Sequence, residues 1–131
     1  MTGAGQMLIS SALKVRTRYV RAVNIGRDLG DDQALVGYLL TDTVKHALGR
    51  LAQGLSAGSA QRAWRITGGY GGGKSAFGLF LASLFTQPIS KRSVAGKLLS
   101  TDAPELFLQL KKLPRYAPLV ITGTRTDASV A

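Results

Sequence analysis

The chain has no cysteine and one histidine, His46. Disulfide staples, thiolate metal sites and zinc clusters are therefore out of reach, and a cytoplasmic location is the default expectation. Long apolar runs are missing too. The longest, from Ala76 to Phe85, is broken by Gly78 and Ser83 and is much shorter than the roughly 20 residues a bilayer crossing needs. The first residues, MTGAGQMLISSALKVRTRYV, carry no basic residue ahead of a short apolar patch and no continuous apolar segment, which argues against a secretory signal.

Acidic residues are scarce: 7 Asp and Glu stand against 17 Lys and Arg, a formal net charge of +10. Such a balance favours polyanions, whether nucleotide phosphates, nucleic acid or anionic lipid. The basic residues gather at Lys14–Arg21, at Lys91 and Arg92, and at Lys111–Arg115, with no aromatic interleaving beyond Tyr19. Nucleic acid is a partner this pattern leaves open, and a solvated surface explains it more simply.

Glycine is plentiful, with 16 in 131 residues, and five of them fall within Gly68–Gly73. The pattern on either side is orderly. Lys14–Val23 alternates basic and β-favouring residues, as an extended arm or edge strand does. Asp31 or Asp32 can cap a short helix ending near Leu40. A clearer helix follows: Thr41 or Thr43 caps it, Val44, Ala47, Leu48, Leu51 and Leu55 recur at helical spacing, and Gly54 reads as its stop. His46 falls off that stripe and is expected in solvent. Ser56–Gln61 is a small-residue connector, which places a boundary between a helical lead-in with a basic arm (1–60) and the rest (61–131).

After the connector, RAWRIT (Arg62–Thr67) reads as a strand with Trp64 and Ile66 on one face. Beyond the glycines, Phe77, Phe80, Leu81 and Leu84 recur at i, i+3, i+4 and i+7, so a buried helix is expected there, closed by Pro88. Lys91–Ser100 is a weaker helix candidate. TDAPELFLQLKKL is a stronger one, with Asp102 as cap, Pro104 early in the first turn, and Leu106, Leu110 and Leu113 as its stripe. Ala117–Gly123 then reads as a short buried strand.

Gly68, Gly73, Lys74 and Ser75 match G-x-x-x-x-G-K-[ST] in a predicted strand–loop–helix setting. The chemistry explains the glycines. A loop neutralises a polyphosphate by curling so that consecutive N–H groups point inward, and both the curl and the close approach are cheap only without a Cβ. Gly71, Gly72 and Gly73 supply the curl, and the first turn of the following helix adds unpaired N–H donors. Lys74 would set its ammonium on the β- and γ-phosphates, and the Ser75 hydroxyl would bind Mg2+.

The segment WRITGGYGGGKSAFGLFLASLF resembles the Walker A region of P-loop NTPases. Its G-x-Y-G-x-G-K-S form and aromatic-rich helix are similar to those of large bacterial AAA-like ATP-binding proteins, some from phage-defence systems. Residues 18–55 upstream more weakly resemble the helical lead-in of those proteins, and PLVITGTR resembles a following core strand. The resemblance implies an α/β fold, a partial P-loop core of parallel sheet with flanking helices, preceded by a helical portion. It also implies ATP and Mg2+ as ligands. Gly68, Gly69, Tyr70, Gly71, Gly72, Gly73, Lys74, Ser75 and Ala76 would form the nucleotide site, and Ser75 would be the metal ligand.

No Walker B strand is recognisable, since PLVITG runs into Thr-Arg-Thr before Asp127. The few strands expected are fewer than a nucleotide-binding sheet holds, so the chain reads as the N-terminal part of a longer ATPase acting on nucleic acid or as a switch, within an oligomer or larger complex. Two alternatives stand beside it. One is a small-molecule or nucleoside kinase using Arg92, Arg115 or Arg125. The other is a basic nucleotide- or nucleic-acid-binding module without turnover.

Overall fold

The structure, a computed structural model, describes residues 22–86, 89–90 and 92–121. Within them lie five α-helices and one 3₁₀ turn: α1 (Ile25–Asp28), the 3₁₀ turn (Asp32–Leu35), α2 (Asp42–Leu55), α3 (Lys74–Thr86), α4 (Val94–Asp102) and α5 (Pro104–Leu110).

Each helix start has a local chemical cause. Asn24 opens α1 by accepting from the Arg27 amide at 3.1 Å, and the buried Asp28 carboxylate accepts from the Asn24 amide at 2.9 Å. Arg27 grips the same carboxylate through Nε at 2.7 Å and Nη2 at 2.9 Å, so the buried charge is both paired and hydrogen-bonded. Asp31 caps the 3₁₀ turn through the Gln33 amide, Thr41 caps α2 through Val44, and Ser93 caps α4 through Gly96. Pro104 occupies the first position of α5, where its missing N–H is harmless.

The helix α3 supplies the centre. Phe80, Leu79 and Leu84 are fully buried, joined by Leu48 of α2, Leu99 of α4 and Leu110 of α5. It lies against α1, α4 and the 3₁₀ turn, while α5 lies against both α2 and α4. Such a helix, apolar nearly all round, has to be enclosed, as its sequence predicts.

Several expectations need correction. The parallel sheet does not form: the described residues contain no strand and are helical with irregular connections. Strand status needs a hydrogen-bonded neighbour. Among the described residues, 61–67 have none, and of residues 114–121 only the Tyr116 amide makes a backbone bond to another described residue, to the Phe85 carbonyl at 3.2 Å, which belongs to a helix end. Leu119 and Ile121, expected in a buried strand, are 84% and 81% exposed, and Ile66 is 48% exposed.

The predicted helix to Leu40 stops at Leu35, because Val36 leaves helical geometry with ψ 120°. Gly54 is no stop, since α2 runs through it to Leu55. Asp102 closes α4 rather than capping α5, whose N-cap is Ala103. The core residue of α5 that its leucine stripe omits is Phe107, buried beside Leu110. The basic arm through Arg21, Pro88 and Asp127 lie outside the described residues. Among those residues no helix is long and apolar enough to cross a membrane.

Tyr38 stacks on Phe80 with ring centroids 5.2 Å apart and planes 25° apart. Burial pushes the Tyr38 hydroxyl from 10.0 up to about 12. The folded state holds this proton more tightly than the unfolded chain. The stability it contributes is therefore complete below the unfolded pKa near 10.0 and is lost as pH rises toward about 12. Urea midpoints at about pH 9 and about pH 11.5 should fall less in Tyr38→Phe than in the parent. An identical fall would show that the hydroxyl is not desolvated.

Candidate functional site

The glycine-rich loop ends where α3 begins. Gly71 and Gly73, on either side of Gly72, both have φ 75°, left-handed geometry that only glycine adopts without strain. A bond from the Gly72 amide to the Gly69 carbonyl at 3.3 Å tightens the turn, and the Gly73 carbonyl accepts from the Phe77 amide at 2.9 Å to start the helix. Alternating handedness over consecutive residues is the backbone pattern that turns neighbouring amides toward one side. The amides of Lys74, Ser75 and Ala76 sit in the first helical turn, where no intrahelical acceptor exists.

Lys74 folds back over the loop. Its Nζ donates to the Gly68 carbonyl at 3.0 Å and the Gly69 carbonyl at 2.5 Å. The ammonium is thereby held above the turn, its charge facing two carbonyl dipoles and, among the described residues, no carboxylate.

The loop forms one edge of a cavity of about 490 Å³ between α2 and α3. Gly68, Gly72, Gly73 and Lys74 line that edge, and Val44, Ala47 and Leu51 of α2 face Phe77 and Leu81 of α3. Tyr38 and Trp64 add aromatic wall, and Arg50 and Arg65 add charge. Among the described residues, every charged one in the lining is basic and neither arginine has an ion-pair partner. A second cavity, of about 400 Å³ beside the C-terminal end of α3, places Asp31 and Asp32 with Arg92. Its mixed signs suit a polyanion poorly.

Trp64 reaches the first cavity through a specific seat. A Cβ on Gly54 would come within 2.3 Å of the indole Cζ2 and 2.8 Å of the Gln61 carbonyl, so only glycine lets the ring lie against α2. The Arg50 guanidinium sits 5.9 Å from the ring centroid, a weak cation–π contact. The indole Nε1 is buried without a hydrogen-bond partner.

Of the residues the sequence assigns to the site, four line the cavity and the rest support or flank it. The one Gly69 carbonyl accepts from both Lys74 and the Gly72 amide, and Gly71 supplies the left-handed turn. Tyr70 points fully into solvent. Ser75 is exposed and Ala76 half-buried, both outside the cavity lining. The sequence reading missed Arg50, Arg65 and Tyr38 altogether and gave Trp64 only a strand face. One signal pointed to the indole: it is the only tryptophan, four residues ahead of the glycines. Arg92 and Arg115, the kinase candidates, do not line this cavity, and Arg125 lies outside the described residues.

No group of three or more His, Asp or Glu side chains forms a metal site among the described residues. The Ser75 hydroxyl engages in no hydrogen bond and stands in the first turn beside Lys74. That arrangement fits Mg2+ carried in on phosphate oxygens, an ion that commonly keeps its waters and takes one or two protein ligands.

No family model, curated protein or solved structure matches the chain.

Proposed function

We propose that the chain binds a magnesium nucleotide, ATP by resemblance, with its polyphosphate over Gly68–Gly73 and Lys74. The observation that carries the reading is the pair of left-handed glycines set directly before a buried helix whose first residue is Lys74, at the mouth of a cavity whose charged residues, among those described, are all basic.

The parts divide the work. Loop amides and the first turn of α3 donate hydrogen bonds to phosphate oxygens, and the positive end of the helix favours their charge. Lys74 exchanges its two carbonyl acceptors for phosphate. Ser75 contributes its hydroxyl to the ion, which when bound screens the phosphate charges. Because α3 is anchored in the core by Phe77, Phe80 and Leu84, the downstream end of the loop is already fixed. Ligand binding then orders fewer residues, which limits its entropic cost.

Among the described residues the cavity lining holds no Asp or Glu, so what these residues support is holding a nucleotide. This fits the nucleotide-holding part of a larger ATPase, and the +10 charge favours nucleic acid as what that machine acts on.

Lys74→Ala removes one charge-assisted contact worth roughly 1.5–3 kcal/mol, and Mg·ATP binding should weaken about tenfold to over a hundredfold. Calorimetric titration of variant and parent measures it. Equal affinities would overturn the proposal.

A further inference from the structure

We infer that the cavity between α2 and α3 receives the nucleoside end of the ligand and makes the site prefer nucleotides to bare triphosphate. The inference rests on the phosphate-loop reading above and adds which half of the ligand occupies the cavity.

Continuity comes first. Gly68, Gly72, Gly73 and Lys74 belong to both the loop and the cavity edge, so a phosphate chain held at the loop delivers its substituent into that space. Size agrees, since about 490 Å³ falls within the range of small-molecule pockets.

The wall chemistry is the second argument. Val44, Ala47, Leu51 and Phe77 offer apolar surface, and Trp64, with the Arg50 guanidinium 5.9 Å over its ring, adds aromatic surface. Inorganic phosphate has nothing to place against such a wall. A nucleobase does, because it is flat, aromatic and weakly hydrated on its faces, and stacking tolerates any base.

Polar groups stand where a sugar or a base edge needs them. Thr43 and Thr67 line the cavity, and their hydroxyls have no hydrogen-bond partner among the described residues. The buried Trp64 Nε1–H has none either. A buried donor left unpaired is costly, so a small movement of the indole that gives it a ligand acceptor is favoured. The lining arginines, without carboxylate partners among the described residues, raise the local concentration of anionic ligands and read no base.

The test uses the full chain and three probes: Mg·ATP, Mg·tripolyphosphate and adenosine. By calorimetry, Mg·ATP should bind roughly ten- to a hundredfold more tightly than Mg·tripolyphosphate, the range that stacking and apolar burial provide. Adenosine alone should quench or shift Trp64 emission at high concentration, and tripolyphosphate should not.

Ala47→Leu fills the cavity from α2 and should erase most of the ATP advantage while leaving tripolyphosphate affinity unchanged. Thr43→Phe, at an exposed position on the same wall, does the same job should the first variant fail to fold. Equal affinities for ATP and tripolyphosphate in the parent would overturn the inference and leave the loop reading standing. So would an ATP advantage that survives both filling variants. Binding of neither polyphosphate would overturn the loop reading, and this inference with it.

Discussion

Phe80→Ala is expected to cost about 3–5 kcal/mol of stability, the usual range for removing a fully enclosed aromatic ring. Phe80 is 0% exposed, sits midway along α3, and stacks on Tyr38. Truncation loses the transfer energy of the ring and leaves a void that the elements packed on α3, namely α1, α4 and the 3₁₀ turn, can only partly fill. A domain of this size holds about 5–15 kcal/mol in total, so most of its reserve would go. The denaturant midpoint, followed by Trp64 fluorescence, gives the measurement. The same variant should weaken nucleotide binding in the surviving folded fraction, because Tyr38 carries the support of Phe80 to the cavity wall. A loss below about 1 kcal/mol, the scale of a surface change, would mean the ring is not enclosed as described.

Gly96→Ala ranks next, and two effects oppose each other there. Alanine in a helix interior is favoured over glycine by about 1 kcal/mol. Against this, a Cβ at Gly96 would lie 1.9 Å from the Ser90 carbonyl oxygen, 2.8 Å from its carbon and 2.9 Å from Ser93 Oγ. Two of those three atoms are backbone, and the third is the cap of α4, which accepts from the Gly96 amide at 3.1 Å. Nothing flexible can yield. Moving Ser90 drags Ile89, a buried core residue, and moving Ser93 breaks the cap. Overpacking of this kind costs about 3 kcal/mol, so the clash exceeds the propensity gain and a net loss near 2 kcal/mol is expected. Thermal or urea unfolding would measure it. A variant as stable as the parent would show that the carbonyl of Ser90 does not lie over α4.

The helices were readable because their causes are local. Thr41 before an apolar stripe, Pro104 at a first turn, and the 3–4 spacing of Phe77, Phe80, Leu81 and Leu84 act within a few residues of themselves. The predicted strands failed for the opposite reason. Alternation at Trp64 and Ile66 satisfies a strand's pattern, but a ladder needs a second segment. Trp64 finds its partner in Gly54 on α2 instead, while Ile66 stays half in solvent. The same distance in sequence hid the role of Gly54, which looks like punctuation until the indole is seen resting on it.

The site divides along that line as well. Its loop occupies eight consecutive residues and was legible. Its cavity was not, because residues 38–51, 64–68 and 72–81 meet only through packing. Asp102 shows a subtler limit: two residues ahead of a proline, an acidic residue can finish one helix as well as open the next.

The way α3 emerges from the loop also constrains how this chain can tolerate insertions. An extra residue among Gly68–Gly73 would lengthen the curl and leave the buried helix in register, since Phe77, Phe80 and Leu84 would keep their sockets. An extra residue between Lys74 and Phe77 would swing the lysine about 100° around the axis and raise it about 1.5 Å. The ammonium would then face away from the cavity while the core stayed intact, separating folding from ligand capture in a single indel.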